Sequence, residues 1–111
     1  MKLPREAIIS HDKLLRYLLL PREENDKSGF LALAGYSLAN WELLERDLRQ
    51  LITSHEASSA ETSPFGIKYE VRGKLTGPNG YILDVVTVWI KLQAIEETRL
   101  VTLFPDTEVK R

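Results

Sequence analysis

Apolar positions along the chain change their spacing near residue 65, from helical intervals to strand-like alternation. In the first half, Leu14, Leu15, Leu18 and Leu19 form one side of a short helix predicted over His11–Leu20. Ser10 is suited to cap it and Pro21 to stop it. A charged loop, REEND, follows, and then a second short helix from about Asp26 to Ala34 with Phe30, Leu31 and Leu33 as its apolar residues. Gly35 offers its C-terminal stop. The segment SLANWELLERDLRQLI carries the clearest helical stripe: Leu38, Trp41, Leu44, Leu48 and Leu51, with Ser37 as N-cap. Glu42 stands four residues before Arg46, and Glu45 four before Arg49, the supportive order for ion pairs on a helix. A stripe of this kind is read as core-facing.

HEASSAETSP is polar and small, and reads as a loop. Beyond it GIKYEVRGKL alternates, with Ile67, Tyr69, Val71 and Leu75 against Lys68, Glu70, Arg72 and Lys74. GPNG makes a turn into YILDVVTVWIKL, a long strand, and RLVTLF is a third strand ended by Pro105. Ala7–Ile9 is a candidate for a short N-terminal strand, and the tail DTEVKR is expected to fray. Helices first and an antiparallel sheet afterwards make an α+β fold, with the helices on one sheet face and the other face open. The chain reads as a single domain over residues 1–111, helical over about 10–54 and sheet over about 66–104.

Thr87 interrupts the apolar run VVTVWI, and Thr102 interrupts LVTLF. Side chains alternate along a strand, so parity decides what the threonines face. If Val86, Val88 and Ile90 are the core set, Thr87 and Trp89 lie on the open face. A four-residue GPNG loop gives that result: it pairs Thr76 with Tyr81 and sets Glu70 opposite Thr87. Lys68, Glu70, Arg72, Thr87, Trp89 and Thr102 then share one surface, and this register is the expectation. A three-residue PNG loop with a bulge at Gly80 shifts the pairing by one and places Thr87 with Val71 and Tyr69.

Composition narrows the chemistry. The chain has 111 residues, no cysteine and a net charge of −1. Disulfides, iron–sulfur clusters and thiol catalysis are therefore excluded. No segment approaches the roughly 18 apolar residues of a membrane span, and charged residues break up the N-terminus, so no signal peptide is read. A cytoplasmic protein without membrane contact is expected. His11 and His55 lack the spacing of a zinc site, no metal or other cofactor is implied, and there is no phosphate loop, serine-hydrolase elbow or dinucleotide fingerprint. Between residues 65 and 95, Lys68, Arg72, Lys74 and Lys91 outnumber Glu70 and Asp84. A solvated strand face accounts for that excess, and so does a phosphate-binding surface. Metal-free cleavage of RNA needs a base, an acid and cations, and Lys, Arg, Tyr and Thr can supply these. Trp89 on an open face could stack on a base.

Two longer motifs carry a family resemblance. PFGIKYEVRGKLTGPNGYILDVVTVWI followed by RLVTLFP, with DKSGFLALAGY upstream, resembles a family of small bacterial domains of unknown function, from about Ile8 to Pro105. Members of that family stand alone or form the C-termini of polymorphic toxins. Their layout is similar to the ribonuclease toxins grouped with barnase, EndoU, colicin nucleases and RelE. The resemblance implies a metal-independent ribonuclease-like domain acting on RNA and paired with an antitoxin or immunity protein. It points to Lys27, Arg72, Thr87 and Thr102 as catalytic positions, with Lys68, Lys74 and Trp89 as substrate contacts. Lys27 matches the family's helix lysine. The basic residue usual just after it is replaced here by Ser28 and Gly29. The other reading is a non-catalytic module that binds a neighbour-encoded small protein through the open face or a strand edge.

Overall fold

The computed structural model describes residues 1–23 and 26–108. A π-helical turn, Lys13–Leu18, leads to helix α1 (Ser28–Ala32), a 3₁₀ turn (Leu38–Asn40) and helix α2 (Trp41–Ser54). Strands β1 (Ala57–Ser63), β2 (Gly66–Thr76), β3 (Ile82–Leu92) and β4 (Thr98–Pro105) follow. They form one antiparallel sheet in chain order, β1-β2-β3-β4. This is the expected α+β fold, with helices packed on one face of the sheet.

The first helix takes a wider winding than its sequence suggested. Leu19 N–H bonds the Leu14 carbonyl, five residues back, at 2.9 Å. That spacing brings Leu14 under both Leu18 and Leu19, and all three are buried. In α2 the buried residues are Leu44, Leu48, Leu51 and Ile52. The stripe loses its N-terminal end, because Leu38 sits in the 3₁₀ turn and is exposed. Arg49 pairs with Glu45 as the spacing predicts, while Arg46 turns to Asp47 at 3.1 Å. Gly35 takes φ +92 after α1, the left-handed conformation that a helix stop favours.

HEASSAETSP is not a loop over most of its length: Ala57–Ser63 is an edge strand paired with β2. Its side chains are exposed on both sides, so no apolar alternation marks it. The N-terminal segment is held to the sheet at two places. The Met1 carbonyl accepts from Ala57 N–H at 2.7 Å. Ile8 bridges β4 in parallel, with its N–H to Thr98 O at 2.7 Å and its carbonyl receiving Leu100 N–H at 2.9 Å. Between and beside these points Leu3, Ala7 and Ile9 are buried. Asp106, in the tail expected to fray, is tied down by its N–H to Asp84 O at 2.9 Å. Residues 109–111 of that tail, and Glu24 and Asn25 of the charged loop, lie outside the described residues.

The β2–β3 register overturns the expected one. Thr76 pairs with Ile82, Val71 with Thr87 and Tyr69 with Trp89. The loop is Pro78–Gly80, closed by Gly77 N–H to Tyr81 O at 3.0 Å and Gly80 N–H to Gly77 O at 2.9 Å, with Gly80 at φ +87. Glycine reaches that φ without strain, which makes the three-residue loop accessible. The one-residue shift reverses the faces of β3. Val85, Thr87 and Trp89 join Leu83 under the helices, and Val86, Val88 and Ile90 stand on the other side with Lys68, Glu70 and Arg72.

Candidate functional site

The covered and open faces now hold different residues from those expected. Thr87 and Trp89 are both fully buried. Thr87 Oγ1 donates to Val71 O at 2.9 Å and accepts from Trp89 Nε1 at 2.8 Å. Both side chains therefore lie in the core, away from any surface that a dissolved molecule can reach. This corrects their placement on the open face.

Thr102 does reach that face. It pairs with Val88, and a bulge between Val88 and Trp89 on the β3–β4 ladder lets Leu100 and Leu103 both stay in the core. Phe104 follows two residues later on the same side as Thr102, opposite Val86. Lys27, just before α1, holds its Nζ 5.9 Å from the centre of the Phe104 ring. Lys27 and Thr102 thus both lie beside β4.

A tyrosine that the sequence reading did not single out joins them. Tyr17, from the π-helical turn, places its Oη 3.4 Å from Thr102 Oγ1, which donates to it. Lys13 Nζ lies 4.4 Å and Arg22 Cζ 4.9 Å from the centre of the Tyr17 ring. The hydrogen bond from Thr102 lowers the phenol's pKa, and the charges of Lys27, Lys13 and Arg22 lower it further against the opposing effect of burial. Lys13 and Tyr17 stand four residues apart on one turn, a spacing visible in the sequence. The approach of Arg22, Lys27 and Thr102 is a product of the fold.

Lys68, Arg72 and Lys74 share the open face as expected, but each faces a carboxylate. Arg72 contacts Asp106 at 3.0 Å, Glu70 at 3.3 Å and Glu108 at 3.6 Å. The Asp106 hydrogen bond and these charges raise its pKa. Lys74 meets Asp84 at 2.5 Å, and Lys68 meets Glu61 at 3.7 Å. Among the described residues, Lys13, Arg22 and Lys27 make no such ion pair. Among the described residues, the cations beside Tyr17 are thus without an ion-pair partner, whereas the arginine and lysines of β2 are locally balanced.

A family model described as "Domain of unknown function (DUF6883)" matches residues 2–107. The chain belongs to this family. No curated protein matches it. Among solved structures, the DUF6883 domain is similar to a chain from a contact-dependent growth inhibition toxin–immunity protein complex of Klebsiella pneumoniae 342. The TM-score is 0.69 at 14% identity, over 90% of this chain and 100% of that one. At that identity the likeness is one of fold.

Both histidines have structural partners. His11 stacks at a tilt on Trp41, with ring centres 4.5 Å apart, and His55 Nδ1 lies 3.0 Å from Leu51 O. Among the described residues no group of three His, Cys, Asp or Glu side chains converges as a metal site. No helix among them is long and apolar enough to cross a membrane.

Proposed function

We propose that this DUF6883 domain is the RNA-cleaving component of a bacterial toxin system, acting in the cytoplasm and held in check by an antitoxin or immunity protein. The observation that supports this reading is the placement beside β4 of Lys27, against Phe104, and of Thr102, against Tyr17, whose ring Lys13 and Arg22 cover. A surface with three cations and hydroxyl donors suits the trigonal-bipyramidal phosphorane-like charge that develops when a phosphodiester is attacked by its own 2′-hydroxyl. Similarity of fold to a chain of a toxin–immunity complex supports the setting.

In this reading Lys27 and Thr102 act on the scissile phosphate, and Phe104 takes the stacking role first assigned to Trp89. Arg72, Lys68 and Lys74 contribute at the margin, where a phosphate has to compete with their carboxylate partners. Thr87 takes no part, being buried. The test is induced expression in a bacterial host with RNA analysed after induction. Growth arrest with cleaved tRNA or mRNA is expected, and Lys27→Ala or Thr102→Val should relieve both. A harmless wild type whose purified protein leaves RNA intact would sink the proposal.

The neutralised β2 cations favour a second reading, a binding module without catalysis. Here the outer edge of β1 receives a strand from a neighbour-encoded protein. A stable co-purified partner together with no RNA turnover would select this reading over the first.

A further inference from the structure

We propose that Tyr17 is a catalytic residue of this site, taking up the 2′-hydroxyl proton of an RNA substrate as a phenolate. The inference rests on the ribonuclease reading above and names the base that reading lacked. Lys13 on its own turn and Arg22 in the loop that follows lie over the Tyr17 ring, Thr102 on β4 meets its hydroxyl, and Lys27, against the neighbouring Phe104 ring, adds its charge. Each favours the ionised form: three carry positive charge and the fourth is a hydroxyl donor. Thr102 Oγ1 also lies 3.3 Å from the Leu103 carbonyl. Once Tyr17 is ionised, its oxygen is the stronger acceptor of the two, so the Thr102 hydrogen turns to it. Among the described residues no carboxylate is paired with any of the three cations, and partial burial is the one effect that opposes ionisation.

A phenol serves as a base only where its anion is stabilised and exposed, and both conditions meet here. Tyr17 is half-buried, with its oxygen at the boundary between the π-helical turn and the open face. In the step, the 2′-hydroxyl proton passes to the Tyr17 oxygen while O2′ bonds to phosphorus. The bond from phosphorus to O5′ breaks, and O5′ leaves with a proton from the Lys27 ammonium. Lys13 and Arg22 balance the charge on the non-bridging oxygens. The products are a 2′,3′-cyclic phosphate and a 5′-hydroxyl end, and solvent restores the two protonation states. No oxidant, metal or cofactor enters.

The experiment uses the full purified chain, total tRNA as substrate, and two readouts. The first is the pH dependence of cleavage rate. The second is the ultraviolet difference spectrum of tyrosinate, wild type minus Tyr17→Phe, recorded without RNA. Tyr17→Phe should keep the thermal unfolding of the wild type and its KM for tRNA. It should lose about 10²–10⁴-fold in kcat, the range for a positioned acid or base, together with the alkaline rise in rate. The difference spectrum should show Tyr17 ionising below ordinary tyrosine, and Lys13→Gln should move both that titration and the rate profile to higher pH. Tyr81→Phe, at an exposed tyrosine on the β2–β3 turn, is the control and should change neither. If wild type cleaves tRNA and Tyr17→Phe does so within about threefold and with the same pH profile, the role of Tyr17 is overturned and the ribonuclease reading stands. If wild type leaves tRNA intact although Tyr17 titrates early, the ribonuclease reading falls, and the catalytic role falls with it.

Discussion

The indole N–H of Trp89 donates to the hydroxyl of Thr87, two residues earlier on the same strand, at 2.8 Å. That hydroxyl in turn donates to the Val71 carbonyl on β2 at 2.9 Å. One buried oxygen thereby satisfies two other polar groups, and no buried side-chain nitrogen or oxygen among the described residues is left without a partner. Thr87→Val keeps the shape and removes the acceptor, stranding the indole N–H. The expected loss is about 1–3 kcal/mol, the cost of a buried unsatisfied group. In a thermal melt that is a fall of about 4–8 °C per kcal/mol for a small domain. Thr87→Ser keeps the hydroxyl and should lose less. Equal melts for wild type and Thr87→Val would show that the bond contributes nothing.

Tyr36 gives a pH-dependent test of stability. Burial first, and then the hydrogen bond and charge of Asp47, push its phenol well above the ordinary value. A raised folded-state pKa means that the stabilisation is fully present below the unfolded value of about 10 and is lost as pH climbs above it. Urea midpoints should be level from pH 7 to about 9.5 and then decline. Tyr36→Phe should start lower, by about 1 kcal/mol for the lost hydrogen bond, and should flatten the decline. An unchanged alkaline slope in Tyr36→Phe would assign the effect to another group.

Two glycines of the β2–β3 turn should respond differently to alanine. A Cβ on Gly77 would overlap the Ala34 backbone carbonyl, so the loop after α1 has to move. Gly77→Ala should cost about 1–3 kcal/mol, as overpacking does. A Cβ on Gly80 meets no neighbour, but the residue sits at φ +87. Gly80→Ala should cost about 1–2 kcal/mol from backbone strain alone. Asparagine at 80, which tolerates that conformation, should recover most of it, whereas asparagine at 77 should not. Denaturant midpoints of the four variants would check the contrast.

Arg72 and Lys27 are separated by their partners. Arg72 is already engaged by Asp106, Glu70 and Glu108. Under the toxin proposal, Arg72→Ala should therefore weaken growth arrest less than Lys27→Ala in the same assay. Its clearest effect should be local, as faster amide exchange at Asp106, whose side chain loses its hold on β2. A loss of toxicity in Arg72→Ala equal to that in Lys27→Ala would mean that substrate displaces those carboxylates.

Helix α2 and strand β2 were legible because each carries a periodic pattern on a half-buried element, and β3 and β4 because each is an apolar run bounded by turn residues. Leu44, Leu48 and Leu51 recur at helical spacing, and Lys68 to Leu75 alternate. β1 was hidden because ASSAETS projects at the sheet edge with solvent on both sides, so burial imposed no alternation on it. The face of β3 was misread for a different reason. Both of its faces are apolar, Val85 and Trp89 on one and Val86, Val88 and Ile90 on the other, so composition could not rank them. The decision lay in the length of the turn, and that depended on the backbone of Gly80. Lys27 and Thr102 were named by resemblance; Lys27 lies against Phe104 and Thr102 against Tyr17. Tyr17 was not named, because its significance lies in a contact with a residue 85 positions away, which no local pattern encodes.

The N-terminal segment has a kinetic consequence. Ile8 is held by Thr98 and Leu100, near the far end of the sequence. A ribosome adding about 5–20 residues per second needs on the order of 5–20 seconds to travel from one to the other. Throughout that interval the Ile8 backbone has no β4 to pair with. The earliest part of this domain to be synthesised is thus among the last to find its place.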